Sequence, residues 1–117
     1  MRDILDRLNR GVGVRGSMIV TAEGLLVDSS MGQDLEEGRV AAIASNIIQK
    51  TQTALSSIEL RKFSQFILTA VHGKMVFQDI GEAFLVVITD KAINLDHTLI
   101  EIKGAAFKIQ SRTKMED

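Results

Sequence analysis

Gly11-Val12-Gly13-Val14-Arg15-Gly16 matches G-x-G-x-x-G letter for letter, the pattern in which backbone amides cradle a pyrophosphate. That chemistry needs a strand before the glycines and a helix N-terminus after them. Here a helical pattern precedes and a strand pattern follows, so the glycines read as a flexible joint. Gly73-Lys74 is not a phosphate loop either, because Met75 stands where a Ser or Thr would hold magnesium and position 68 is Leu. It reads as a hairpin turn. His72 and His97 are the only histidines, and neither shows the short His/Glu spacing of a zinc site. Asp28-Ser29-Ser30 sets a carboxylate beside hydroxyls, but adjacent strand residues point to opposite faces and no base is identifiable. These three are expected to satisfy backbone groups at a strand end. Arg39 and Lys50 are left as candidates for charged contacts with a partner, against the simpler reading that each is only solvated. No catalytic residue, cofactor or metal ligand is assigned.

The element that must position these residues is a helix from Asp34 to Ile58. Asp34 is placed to cap it, with Glu37 three residues on completing a capping box. At 100° per residue Val40, Ile43, Ala44, Ile47, Ile48, Thr51, Ala54, Leu55 and Ile58 form one broad apolar stripe, expected to be core. The opposite face carries Gly38, Ala42, Ser45, Asn46, Gln49, Thr53 and Ser56. These are small and uncharged where a solvated helix would show Glu and Lys. Such a face suits close approach by another chain; the alternative is a surface helix that happens to be Ser/Ala-rich.

Before this helix, Met1 to Asn9 reads as a short amphipathic helix. Val14 to Thr21 and Gly24 to Ser30 read as a hairpin turning at Ala22-Glu23-Gly24. After it come strands Phe63 to His72, Met75 to Ile80 and Glu82 to Thr89, joined by Gly-containing turns. The last helix opens near Asn94, with Leu95, Leu99, Ile102, Ala106 and Ile109 as its core seam and fraying expected beyond Arg112. The order is α-β-β-α-β-β-β-α: an α+β domain with a five-stranded antiparallel sheet. The first and fifth strands read as near-continuous apolar segments, so helices should cover both sheet faces. The run Phe63, Ser64, Gln65, Phe66, Ile67, Leu68, Thr69, Ala70, Val71 carries no charge. As an unguarded sheet edge it invites pairing with its own copy across a two-fold axis.

At 117 residues the chain is one domain, residues 1–117, long enough to bury a core. A net charge of −1 offers no general attraction to nucleic acid or anionic lipid, and five Phe as the only aromatics supply few stacking platforms. The absence of Cys removes disulfides and thiolate chemistry. The longest apolar run, Ala83 to Ile88, is too short to span a bilayer, and the N-terminus lacks a signal-peptide core. A cytoplasmic protein that binds neither nucleic acid nor membrane is expected.

The run Val14-Arg15-Gly16-Ser17-Met18-Ile19-Val20-Thr21-Ala22-Glu23-Gly24-Leu25-Leu26-Val27-Asp28-Ser29, followed by Asp34 and an Ala-rich helix, resembles the roadblock (dynein light chain) family over nearly the whole chain. The resemblance implies a profilin-like architecture with the central helix on one sheet face and the terminal helices on the other. It also implies a homodimer formed through the central helix and the third strand, here Phe63, Gln65, Phe66, Ile67, Leu68, Thr69, Ala70 and Val71. Prokaryotic members of the MglB type pair with small Ras-like GTPases. The resemblance would place such a GTPase across Arg39, Ala42, Ser45, Asn46, Gln49, Lys50 and Thr53. The expected function is therefore a non-enzymatic module that modulates the GTP/GDP switch; the alternative is a light-chain-like adaptor with no effect on nucleotide turnover.

Overall fold

Period-two apolar runs separated by turn residues give the strands, and period-3.6 runs give the helices. A computed structural model describes residues 1–116. Its elements are α1 Arg2–Asn9, β1 Val14–Val20, β2 Leu26–Met31, α2 Glu37–Ser57, β3 Gln65–Ala70, β4 Gly73–Asp79, β5 Phe84–Thr89 and α3 Leu95–Glu116. The strands form one antiparallel sheet in the order β2-β1-β5-β4-β3. β3 is therefore an edge, as its position after a helix suggested. The turn between β1 and β2 closes at Gly24, whose φ of 99° is one that a residue with a Cβ rarely adopts.

β5 is buried along its whole length, because both sheet faces are covered. Phe84 and Val86, with Met18 and Val20 of β1, pack under Ala41, Ala44 and Ile48 of α2. Leu85, Val87 and Ile19 pack on the other side against Ile4, Leu5 and Leu8 of α1 and Ile102, Ala105, Ala106 and Ile109 of α3. Burying each large apolar side chain contributes about 1.5–3 kcal/mol. α1 is also fastened by polar groups. Asn9 Nδ2 donates to the Ser30 carbonyl at 2.6 Å, the buried Ser17 hydroxyl donates to Asn9 Oδ1 at 2.8 Å, and Ser30 Oγ donates to Asp6 Oδ1 at 2.6 Å.

Several sequence-based expectations are corrected here. α2 begins at Glu37 with Glu36 as N-cap and no side-chain cap. Asp34 is instead held by the Arg15 guanidinium of β1, and Glu37 accepts a hydrogen bond from the Ser29 hydroxyl. The expected capping box does not form because both carboxylates have strand partners. Asp28, Ser29 and Ser30 likewise reach Arg2, Glu37 and Asp6, tying β2 to both helical layers rather than closing backbone groups alone. The core stripe of α2 is rotated: Ala41 and Ser45 are buried, whereas Ile43, Ala54 and Ile58 are exposed. Small residues let the helix backbone settle onto the β1–β2 turn, where a Cβ on Gly24 would lie only 3.4 Å from Ser45 Oγ. The bulky flank is turned away from that contact. Phe63 is drawn into the core, so β3 starts later than expected. α3 runs from Leu95 to Glu116, past the Arg112 position beyond which fraying was expected; Asp117 lies outside the described residues.

α2 ends in a Schellman closure. The Leu60 amide donates to the Leu55 carbonyl at 2.9 Å and the Glu59 amide to the Ser56 carbonyl at 3.1 Å. Glu59 sits at φ 65° to make it, a left-handed conformation that a glycine would adopt without steric cost. Glu59→Gly is expected to raise stability by about 0.5–1 kcal/mol, after subtracting the glycine's extra unfolded-state entropy. A urea midpoint that moves upward with an unchanged slope checks this; a lower midpoint would show that the Glu59 side chain matters more than its backbone.

Candidate functional site

On the α2 side of the sheet the helix covers the β1–β2 end and leaves the β3 end partly open. Four rings anchor that end. Phe66 stacks on Phe77 with centroids 4.4 Å apart, meets Phe63 edge-on at 4.5 Å, and Phe63 lies 5.2 Å from Phe84. Beyond the rings the apolar surface emerges into solvent: Leu68 is 43% exposed and Ile43 of α2 is 48% exposed, while Phe66, Ile47 and Met75 are half-buried. Leu68, Ala70, Val71, Met75 and Ile88 share a hollow of about 410 Å³ at the upper corner. No charged side chain lies on β3, and its outer backbone edge pairs with no other strand.

The residues singled out on β3 thus divide. Phe63 is buried at 7% exposure, so its ring belongs to the core and is not presented to another chain. Gln65 Nε2 donates to Gln78 Oε1 at 2.8 Å across the β3–β4 pair. Ile67 packs toward the α1–α3 core, and Phe66 and Leu68 face the α2 side. Thr69 and Ala70 are exposed at the strand end, with Val71 in the following turn.

On α2, Arg39, Ala42, Asn46, Lys50 and Thr53 form an exposed face, with the Arg39 guanidinium 3.8 Å from Glu36. Ser45 is buried beneath it, and Gln49 is exposed at its margin. The Ser45 hydroxyl and Gln49 Nε2 both donate to the Ala22 carbonyl, at 2.8 and 2.6 Å, so they bolt the helix to the β1–β2 turn. Ile43 and Met75 belong to the open apolar surface and were not singled out from sequence. Ile43 was hidden within the stripe assigned to the core, and Met75 in a strand whose covering could not be foreseen.

The charge pairs lie elsewhere. Arg112 grips Asp3 with both nitrogens at 2.7 Å, joining the far end of α3 to α1. That hydrogen bonding, with the N-terminal ammonium at 3.1 Å, holds the Asp3 carboxyl well below the usual carboxylate range. Because its folded-state pKa is depressed, the contribution is present above the unfolded value of about 3.9 and is lost as pH falls through the folded value. The stability difference between wild type and Asp3→Asn is therefore expected to stay level from pH 6 to about pH 5 and to shrink from there down to pH 2. A difference constant with pH would remove the fork's role. Asp34 is shifted the same way by Arg15, and Arg2 is shifted upward by Asp28. His97 Nε2 lies 3.6 Å from Glu101 one turn along α3, a spacing that the sequence reading passed over. Among the described residues no group of three or more His, Cys, Asp or Glu side chains could hold a metal, and no helix is long and apolar enough to cross a membrane.

A five-stranded antiparallel sheet with one central helix on one face and the terminal helices on the other is the roadblock architecture. MglB of Myxococcus xanthus superposes with a TM-score of 0.88 at 19% identity, covering 97% of this chain and 94% of that one. A structure described as MglB with a tetrameric arrangement superposes with a TM-score of 0.82 at 16% identity, covering 94% and 85%. The chain belongs to the Roadblock/LC7 domain family, whose model matches residues 2–89. It is similar in sequence to the uncharacterized protein MJ0714 of Methanocaldococcus jannaschii, 37% identical over 108 residues, 92% of each chain.

Proposed function

We propose that the protein is a homodimeric, non-catalytic module that binds a small Ras-like GTPase and biases its GTP/GDP switch. The observation that carries the reading is the uncharged, unpaired edge of β3 with Leu68 43% exposed, together with a second exposed apolar side chain, Ile43 at 48%, on α2. A soluble chain covers such an edge or guards it with charge. A second copy covers it here, β3 against β3 and α2 against α2. The likeness to MglB structures, one of them described as tetrameric, supports self-association.

Two α2 helices side by side then present Arg39, Ala42, Asn46, Lys50 and Thr53 twice over, a broad platform for the GTPase. Ser45 holds that platform to the sheet from beneath, and Gln49, exposed at its margin, braces it through the Ala22 carbonyl. The module works by holding one conformation of the GTPase switch segments, so that the partner's own groups meet the transition state.

The test is single-turnover GTP hydrolysis and nucleotide exchange by the cognate GTPase, with wild type and with Ala42→Glu/Asn46→Arg. Expected are a changed rate with wild type, no change with the double variant, and the same dimer mass for both. No effect on either rate, with binding retained, would favour a structural adaptor. Binding that survives the double variant would take the GTPase off this face.

A further inference from the structure

We infer that the hollow where α1, the turn at residues 11–13 and the start of α3 meet is a binding site for a small phosphomonoester with an apolar body. The hollow measures about 480 Å³, within the range of small-molecule sites and far more than a bare phosphate needs. It lies in the α1–α3 layer, so it is separate from the α2–β3 surface. Two of its lining side chains are Arg7 and Arg10. Arg10 closes α1 in helical backbone geometry, with φ −73° and ψ −14°, so the two arginines stand three residues apart on one face of a helix. Arg2, Arg15, Arg39 and Arg112 each meet a carboxylate. Among the described residues Arg7 and Arg10 meet none, and both are exposed.

Glu101 is the carboxylate on the same lining, 3.6 Å from His97 Nε2. It offsets one of the two guanidinium charges at most, so the hollow is net positive and selects an anion. α1 ends and α3 begins there, so their dipole ends oppose one another and the choice falls to the side chains. Guanidiniums present paired donors to phosphate oxygens. Asn94, whose Oδ1 accepts from the His97 amide, keeps its Nδ2 as a further donor. The remaining wall is apolar, with Leu8, Val12, Val14 and Ile93. Val12 stands 95% exposed between two glycines, where an apolar ligand body would cover it. The glycines do not hold the anion with their amides, since the Gly11 amide donates to the Leu8 carbonyl at 3.1 Å. Gly13, at φ 84°, instead turns the chain tightly against Ile93, to which a Cβ would come within 3.3 Å. A bare phosphate would leave Val12 and Ile93 wet, and a purely apolar molecule would strip water from two unpaired guanidiniums. A phosphomonoester with an apolar body satisfies both walls.

The test titrates the isotope-labelled chain with sodium phosphate and with phenyl phosphate at constant ionic strength, following backbone amides by NMR. Expected are shifts at Arg10, Val12, Ile93 and His97 with both probes, and an affinity for phenyl phosphate about 10-fold or more above that for phosphate. Arg7→Gln and Arg10→Gln should keep the circular dichroism of the wild type and each weaken phenyl phosphate about 10-fold. Arg61→Gln, at an exposed arginine that also lacks an ion pair among the described residues, should change nothing. Val12→Ser should weaken phenyl phosphate and leave inorganic phosphate unaffected, which separates the apolar wall from the charge. No shift at millimolar phenyl phosphate, shifts centred away from this hollow, or equal affinity for the two probes would overturn the inference. So would an Arg7→Gln/Arg10→Gln chain that binds phenyl phosphate as well as the wild type does.

Discussion

Leu68→Lys is expected to leave the fold intact and to abolish the α2–β3 dimer. Leu68 sits on the edge strand, pairs only with Met75 of β4 and is 43% exposed, so the protomer loses little when its side chain becomes polar. Across a two-fold axis the same change is severe. Two ammonium groups are placed on the apolar face that the copies would share, each losing water without gaining a partner, and a single unpaired buried charge costs about 3–5 kcal/mol. That corresponds to a dissociation constant raised by roughly 10² to 10³ or more. Sedimentation at micromolar concentration gives the mass, and circular dichroism confirms the fold. Thr69→Lys is the control: its side chain points to the other side of the sheet, and a smaller effect is expected there. If GTPase docking needs both α2 helices, capture of the GTPase is lost in parallel with the dimer. An unchanged mass for Leu68→Lys at all concentrations would leave the half-exposed Ile43 and Leu68 without a covering partner and end the reading.

The element order was legible because each element carries its own period and its own punctuation. Asn94, for example, does accept from the His97 amide at 3.3 Å at the start of α3, and Gly24 and Gly81 do close turns with φ of 99° and 102°. The edge position of β3 was also legible, since a strand that follows a helix and forms a hairpin only with its successor has one free side. The rotation of α2 was not. Periodicity treats Ile43 and Ile48 alike, yet Ile48 is fully buried and Ile43 is 48% exposed. What separates them is the seating of Ala41 and Ser45 on a turn whose height no residue pattern encodes. The same contact explains why Ser45, read as presented to a partner, is buried, and why the exposed Gln49 is tied to the Ala22 carbonyl. The ionic tethers were invisible for a related reason: Arg15 and Asp34, or Asp3 and Arg112, become neighbours only once the layers are stacked.

Phe77→Ala should cost about 3–5 kcal/mol and should do so unevenly. Phe77 is fully buried and stacks on Phe66 at 4.4 Å with the rings 12° from parallel, while Phe66 in turn meets Phe63. That chain of rings is what holds β3, because the strand pairs with β4 alone and its far end is exposed. Removing the Phe77 ring leaves Phe66 facing a cavity, so β3 should open before the rest of the sheet. β1 and β5, buried between two helical layers, should open only with the whole molecule. Urea unfolding should show the loss in stability, a large part of the roughly 5–15 kcal/mol a domain of this size has, and Phe77→Leu should recover most of it by refilling the volume. Hydrogen exchange should show the unevenness: the amides of Phe66 and Leu68 should accelerate by a larger factor than those of Leu85 and Val87. Because the loosened strand is also the proposed dimer edge, the same variant should dissociate at concentrations where wild type does not, although no exposed residue has been touched. Equal acceleration at all four amides would mean that the ring cluster supports the sheet as a whole and has no particular part in presenting its edge.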